Sequence, residues 1–331
     1  MSTLPVIGIT MGDPAGIGGE VIIKSLEQKS INSQCRPIII GDAAYLKFLT
    51  EKLSLPLKIT VVDKIKERNS LLSDAIPIVN LKNLSDNKIN FGICDAKYGK
   101  ASYKYILEGI KLASSGIIDA LVTAPINKEG LLKAGIHYAG HTEILAHITK
   151  TTKFAMMLVG GNLRVVLVTR HIPLKDVAKE LTEEKVLTAI ELAHNAGRHF
   201  NIPNPKIGIC GLNPHSGEGG TMGGEEIKTI IPAIEKSKKA GIKVTGPYAS
   251  DTIFYKALKG YYDFVVAMYH DQGLIPLKTL YFDEGVNVTL GLPFVRTSPD
   301  HGTAYDIAGK GIANSKSMEE AIKLAIKMSR I

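Results

Sequence analysis

Cysteine is scarce: Cys35, Cys94 and Cys210 stand far apart and form no CxxC pairing. An odd, dispersed set argues against both a disulfide framework and a cysteine metal site, and it fits a reducing compartment. Long basic runs are also missing, although 40 Lys and Arg against 32 Asp and Glu leave a net charge of +8. Dispersed positive charge of this kind gives no sign of nucleic-acid binding. It suits an anionic small-molecule substrate, although in a chain of this size it is more often an ordinary solvated surface. No apolar run approaches the roughly 18 residues of a membrane span. Residues 1–10 show no basic segment leading into a long apolar stretch, so a cytoplasmic protein without membrane contact is expected. Repeats, low-complexity tracts and Pro/Ser-rich linkers are absent too. With 45% hydrophobic and 22% charged residues, intrinsic disorder, coiled coil and collagen are excluded.

What the chain does contain is an alternation. Its 331 residues favour two domains. Short apolar runs ending at Gly, Asp, Pro or Asn recur at residues 5–10, 37–40, 57–62, 120–123, 154–159, 163–169, 206–210 and 264–268, and read as buried strands. Between them, residues 19–28, 101–113, 183–198 and 225–239 carry apolar side chains three and four apart, as helices do. At the C-terminus, Ser317 and Glu320 predict a capping box ahead of a helix whose apolar face is Met318, Ala321, Ile322, Ala325 and Met328. Alternating strand and helix predict an α/β chain with a largely parallel sheet. If the two ends of the chain meet in one domain, the division runs 1–127 plus 287–331 against 128–286, as two α/β domains around a cleft.

Ligands of open parallel sheets collect at the carboxyl ends of strands, so polar residues directly after apolar runs are informative. His171 follows the run 165–168, His215 follows 207–210 through Asn213-Pro214, and His270 follows 265–268. Three neutral imidazoles can hold a divalent cation with positions left open. The alternative is three independent histidines satisfied by backbone hydrogen bonds. His141, in Gly140-His141-Thr142-Glu143, sits where a helix amino end can receive a phosphate or carboxylate, and Thr142 can equally serve as that helix's cap. Downstream, Lys278, Asn287 and Arg296 interrupt an apolar stretch. Arg296 suits a two-pronged clamp on an acid group and Lys278 a point charge or proton carrier; each also suits a surface ion pair.

Two glycine-rich loops invite comparison with nucleotide sites. Residues 12–20 follow a strand and open a helix, but Val21 stands at the third glycine of GxGxxG. Residues 217–224 lack the Gly-Lys-Ser/Thr ending of a phosphate-binding loop, which disfavours ATP. Both read as tight turns at positive φ.

Longer blocks carry a resemblance. Ile9-Thr10-Met11-Gly12-Asp13-Pro14-Ala15-Gly16-Ile17-Gly18, Thr123-Ala124-Pro125-Ile126-Asn127-Lys128, Gly140-His141-Thr142-Glu143, Asn213-Pro214-His215-Ser216-Gly217-Glu218-Gly219, Met268-Tyr269-His270-Asp271-Gln272-Gly273 and the stretch from Gly285 to Ser298 resemble the PdxA family of 4-hydroxythreonine-4-phosphate dehydrogenases. The match runs from the first strand to the last helix. Gly19 departs from it, standing where the family usually has Pro, and is expected to loosen the start of that helix.

The resemblance implies an isocitrate/isopropylmalate dehydrogenase-like fold and a homodimer whose metal site draws ligands from both subunits. It implies metal ligands at His171, His215 and His270, for zinc, magnesium, cobalt or manganese. Substrate contacts would fall at His141, Thr142, Lys278, Asn287 and Arg296. NAD or NADP would be held without a Rossmann fingerprint, and residues 301–314 look like the adenosine loop of isopropylmalate and isocitrate dehydrogenases, with His301, Gly302, Ala304, Asp306 and Asn314 as contacts. Lys278 and Asp251 are the candidate proton acceptors. The implied activity is that of an oxidoreductase of pyridoxine biosynthesis acting on 4-(phosphooxy)-L-threonine. A sister activity on 4-phospho-threonate or 4-phospho-erythronate, in sugar-acid catabolism, would use nearly the same motifs.

Overall fold

The computed structural model describes residues 4–55, 57–62, 75–84 and 89–330. Its strands are β1 (Val6–Thr10), β2 (Arg36–Gly41), β3 (Ile59–Val62), β4 (Ile76–Asn80), β5 (Ala120–Thr123), β6 (Ala155–Gly160), β7 (Leu163–Leu167), β8 (Ile207–Cys210), β9 (Val244–Tyr248), β10 (Phe264–Ala267), β11 (Val286–Leu290) and β12 (Val295–Pro299). The chain divides into two compact units, Met1–Thr151 with Leu292–Arg330, and Thr152–Gly291. The crossings fall after residues 151 and 291, where the sequence pattern suggests 127 and 286.

In the first unit the strands lie in the order β3-β4-β2-β1-β5-β12, and every pairing is parallel. All residues of β1 and β5 are buried, as expected of parallel strands covered on both faces, which is why they read as unbroken apolar runs. In the second unit the order is β11-β6-β7-β10-β8-β9. There β6 pairs antiparallel with β11 and with β7, while β7, β10, β8 and β9 run parallel. Its core gathers Leu158, Val165, Leu167, Ile253, Val265 and Leu277. Both units are therefore α/β, with β4, β9, β11 and β12 added to the expected strands.

Some local expectations change. The helix expected over 225–239 is an α-helix only from Ile231 to Lys239, preceded by a wide turn over Glu226–Ile230. Pro232 has no N–H to donate to the previous turn, so the regular ladder fails there. The C-terminal helix, Lys316–Ser329, buries the predicted apolar face, but Ser317 and Glu320 form no capping box. Ser317 lies inside the helix, and its Oγ instead accepts the Asp300 N–H at 3.1 Å. Gly19 is buried inside the helix Gly18–Leu26, and a Cβ there would come within 2.8 Å of the Tyr45 ring. Cys35 and Cys210 are buried free thiols, and burial pushes both up to about 12. No described helix is long and apolar enough to cross a membrane.

The loop over residues 301–314 is fastened from behind by the start of the chain. Ile17 N–H donates to the Thr303 carbonyl at 3.0 Å, and the Tyr305 hydroxyl donates to Asp13 Oδ2 at 2.8 Å. Glu20, almost fully buried, accepts the N–H groups of Gly311 and Ala313 at 3.2 and 2.8 Å. Lys24 donates to the carbonyls of those two residues at 2.9 and 2.8 Å and closes an ion pair with Glu20 at 2.8 Å. Gly16 makes this approach possible, because a Cβ there would lie 2.8 Å from the Thr303 oxygen, whereas one on Gly302 would meet nothing within 4 Å. Gly16→Ala should therefore cost about 1–3 kcal/mol of stability, while Gly302→Ala should stay within about 0.5 kcal/mol. Urea unfolding of the two variants beside the parent checks both numbers.

Candidate functional site

In the second unit, β7 and β8 flank β10 and all three run parallel, so their following loops leave from one edge. His171 and His215 stand in those loops, and His270 opens the helix His270–Tyr281 that follows β10, each at the strand end its sequence position indicated. His171 and His270 are brought together, with ring centroids 5.5 Å apart. That separation suits two imidazoles facing one ion at ordinary metal–nitrogen distances. The His270 Nδ1 lies 2.7 Å from the Asp271 carboxylate, a contact that fixes ring orientation and favours Nε2 as the ligand atom. Behind His171, the Arg170 guanidinium stacks 4.5 Å from the Phe154 ring centre.

His215 is not brought into that pair. Residues 215–219 all lie at positive φ (52°, 56°, 76°, 42° and 67°), a left-handed turn that includes three non-glycine residues. Among the described residues no group of three His, Cys, Asp or Glu is placed to hold a metal. The donor chemistry thus fits a divalent ion at His171 and His270, with further ligands needed from outside this grouping. Glu226, which no sequence motif marks, braces the turn: its buried carboxylate accepts the N–H groups of Leu212 and Asn213, both at 2.8 Å, and the Asn213 amide at 2.9 Å. Gln272 is likewise unmarked as a functional residue by the sequence. It accepts the Met268 N–H at 2.6 Å and donates to the Gly211 carbonyl and to Ser250 Oγ, both at 2.7 Å.

Of the other expected residues in this unit, Asp251 is exposed in the first turn of the helix Ser250–Leu258. Lys278 lies two turns beyond His270, its ammonium 5.9 Å from the Phe282 ring centre. Asn287 sits on β11 opposite Leu158, and its Oδ1 is sealed from solvent without a hydrogen-bond partner. It is an acceptor awaiting a donor.

In the first unit a buried cation stands beside a helix amino end. Arg296, on β12, is 2% exposed, and its Nη2 and Nε donate to Thr123 Oγ1 at 2.6 and 3.2 Å. Burial lowers the guanidinium below its ordinary value while nearby Glu143 pulls it back up. The helix His141–Ile148 starts after Gly140, which has no side chain to cap it. Thr142 is therefore inside the helix and buried, not its cap. Burial, and then the charge of Arg296, hold His141 well below the usual histidine range, and its Nε2 is sealed without a partner. A fixed positive charge, a neutral imidazole and a helix amino end together favour a bound anion.

The candidate cofactor residues occupy the loop already described. His301 Nδ1 lies 3.0 Å from the Gly302 carbonyl, Ala304 takes a positive φ of 42°, and Gly302, Asp306 and Asn314 are exposed. With its backbone held from the other side, the loop presents polar groups outward, an arrangement that fits ribose and base edges.

The chain matches the family described as "Pyridoxal phosphate biosynthetic protein PdxA" over residues 33–325. It belongs to the PdxA family. Among PdxA-family relatives, it is 46% identical to D-threonate 4-phosphate dehydrogenase of Cupriavidus necator, over 98% of each chain. It is 44% identical to 4-hydroxythreonine-4-phosphate dehydrogenase of Geobacter metallireducens, over 100% of this chain and 97% of the other. The solved 4-hydroxythreonine-4-phosphate dehydrogenase of Klebsiella pneumoniae superimposes with a TM-score of 0.91 at 40% identity, over 100% and 99% of the two chains. A β-decarboxylating dehydrogenase of Thermococcus kodakarensis shares the fold at a TM-score of 0.50 and 14% identity, over 97% of this chain and 82% of the other. The protein is thus a PdxA-family dehydrogenase with the mixed α/β fold expected.

The state of His141 sets a pH dependence. Its folded pKa lies below the unfolded value, so the unfolded chain binds the extra proton, and stability present above about pH 6.5 is lost as pH falls through that value. His141→Gln should remove up to about 1.4 kcal/mol of acid destabilisation per pH unit. Urea midpoints of parent and variant at pH 7 and pH 5 measure it; equal losses in the two proteins would contradict the assignment.

Proposed function

We propose that the protein is an NAD- or NADP-dependent, divalent-metal-dependent enzyme that oxidises the C3 hydroxyl of 4-(phosphooxy)-L-threonine. The product, 2-amino-3-oxo-4-(phosphooxy)butanoate, is a β-keto acid that loses carbon dioxide to leave 3-amino-2-oxopropyl phosphate, an intermediate of pyridoxine 5'-phosphate biosynthesis. The observation that carries this reading is the buried Arg296 beside an uncharged His141 at an open helix amino end, a receptor built for a phosphate or carboxylate.

In this reading Arg296, His141 and Thr142 hold an acid group of the substrate. Asn287 Oδ1 accepts a hydrogen bond from its ammonium or hydroxyl. Lys278 or Asp251 takes the hydroxyl proton as the hydride departs from C3. His301, Gly302, Ala304, Asp306 and Asn314 hold the dinucleotide, and His171, His215 and His270 hold the divalent cation, with the set completed across a homodimer. When bound, the nicotinamide accepts the hydride and the cation polarises the reacting hydroxyl. Binding of small anions, rather than of nucleic acid, accounts for the positive charge.

A second reading, oxidation of D-threonate 4-phosphate, is favoured by the Cupriavidus necator relative, whose 46% identity to this chain slightly exceeds the 44% of the threonine-phosphate enzyme from Geobacter metallireducens. The two substrates differ at C2, amino against hydroxyl, and share the carboxylate, the C3 hydroxyl and the phosphate. Reduction of NAD and NADP should be followed with each substrate, before and after chelation and metal return. Chelation should abolish turnover and metal should restore it. His270→Ala should lower kcat/KM at least about 100-fold, and Arg296→Lys should raise KM about tenfold or more through loss of the planar two-pronged contact. Turnover of the threonate alone would transfer the protein to the second reading, and chelator-resistant turnover would refute the metal assignment.

A further inference from the structure

We infer that Gln272 is a positioning residue: its single carboxamide ties the backbone just ahead of His270 to the roots that follow β8 and β9, and so sets His270 against His171 and controls how tightly a divalent cation is held. The inference rests on the proposed metal role of those histidines.

Gln272 stands two residues after His270 on the first turn of the helix His270–Tyr281, and it is 8% exposed. Three separate roots meet at its amide. Oε1 accepts from Met268 N–H, directly after β10, at 2.6 Å. One Nε2 hydrogen goes to the carbonyl of Gly211, the residue after β8 and four before His215, at 2.7 Å. The other goes to Ser250 Oγ, at the start of the helix that follows β9, also at 2.7 Å. Ser250 itself lies 3.4 Å from the same Gly211 carbonyl.

The chemistry of these partners leaves no second solution. Met268 N–H only donates and the Gly211 carbonyl only accepts, so the amide cannot flip, and neither a carboxylate nor an ammonium reproduces it. A glutamate would set two acceptor oxygens against the Gly211 carbonyl. An apolar isostere would leave a buried N–H and a buried carbonyl unpaired, a penalty that is relieved by movement of one loop root. Since β7 and β10 are neighbours, movement at the Met268 root displaces the His270 imidazole relative to that of His171, 5.5 Å away. Residues that orient metal ligands from behind typically change affinity 10- to 100-fold when removed.

The test is Co2+ affinity of the full-length protein, read from the visible absorption of the bound ion and from calorimetric titration without substrate. Gln272→Met should weaken Co2+ binding at least tenfold. Ser237→Ala, which removes a buried hydroxyl-to-Ala233 carbonyl bond of 2.8 Å elsewhere in the same unit, should leave it unchanged, showing that a general loss of stability does not suffice. If Gln272→Met fails to fold, Ser250→Ala, which deletes one of the two Nε2 acceptors, should still weaken binding about threefold. Parental affinity in Gln272→Met, or in Ser250→Ala where that variant stands in for it, overturns the inference. His171→Ala and His270→Ala separate the two readings: if neither weakens Co2+ binding, the metal assignment itself has failed and the inference falls with it. If they do and the Gln272 variant does not, only the positioning role is lost.

Discussion

The shared direction of β7, β10 and β8 is the constraint on which the histidine-bearing edge depends. Parallel strands all leave a sheet by the same edge, at intervals of roughly 4.8 Å. Each strand here is a short apolar run that can only be buried, so its first polar residues emerge at that edge whatever the loops do afterwards. Strand direction, however, brings histidines only to an edge. Whether their rings meet is decided by loop backbone. His171 and His270 meet at 5.5 Å, while His215, in the left-handed turn after Pro214, joins no metal-holding group of three among the described residues. That turn holds three non-glycine residues where glycine is favoured, at roughly 1 kcal/mol or more each, and the Glu226 carboxylate offsets the strain by satisfying the amides at its entrance.

Electrostatics does the corresponding work around Arg296. A guanidinium 2% exposed has lost most of its water, and Thr123 returns only a neutral hydroxyl. Glu143 supplies opposing charge, yet His141 remains neutral because a second cation beside the first would be penalised twice, by desolvation and by repulsion. The result is one fixed positive charge with an unpartnered imidazole nitrogen beside it. An anion entering such a place recovers the electrostatic energy that burial withheld, and in the proposed reading this is how the phosphorylated acid is selected.

Much of this is legible in the residues. Apolar runs locate the central strands because burial on both faces leaves no alternation to misread. The rule that ligands gather at carboxyl ends of parallel strands singles out His171, His215 and His270 from chain position alone. Gln272 and Glu226 escape it because their meaning lies in partners 61 residues away for the Gln272–Gly211 contact and 14 away for Glu226–Leu212, and no local period marks such contacts. Gln272 does occupy the third helical position, where a capping glutamine would be sought, but the preceding cap is Tyr269 rather than Ser or Thr, so the pattern stays hidden. Ser317 misleads for the opposite reason: it has the local pattern of a cap, but tertiary contact with Asp300 claims its hydroxyl.

The glycine-rich loop at the first strand shows how a motif and its mechanism can part. A phosphate cradle needs backbone N–H groups that point outward and are otherwise unengaged. Here Met11 N–H donates to Ile40, Asp13 N–H to Pro125, Ala15 N–H to the Asp13 carboxylate, Gly16 N–H to the Asp13 carbonyl and Ile17 N–H to Thr303. With those donors turned inward, the loop serves as a seat for residues 301–314, and Gly16 is small so that the seat fits. Glu20 and Lys24 then hold the far end of the same segment by its own amides and carbonyls. A dinucleotide bound as proposed would therefore be gripped by side chains and backbone of the 301–314 segment, with the glycine loop acting one layer behind it. In that arrangement a missing third glycine at Val21 is no defect, since no phosphate has to approach that turn.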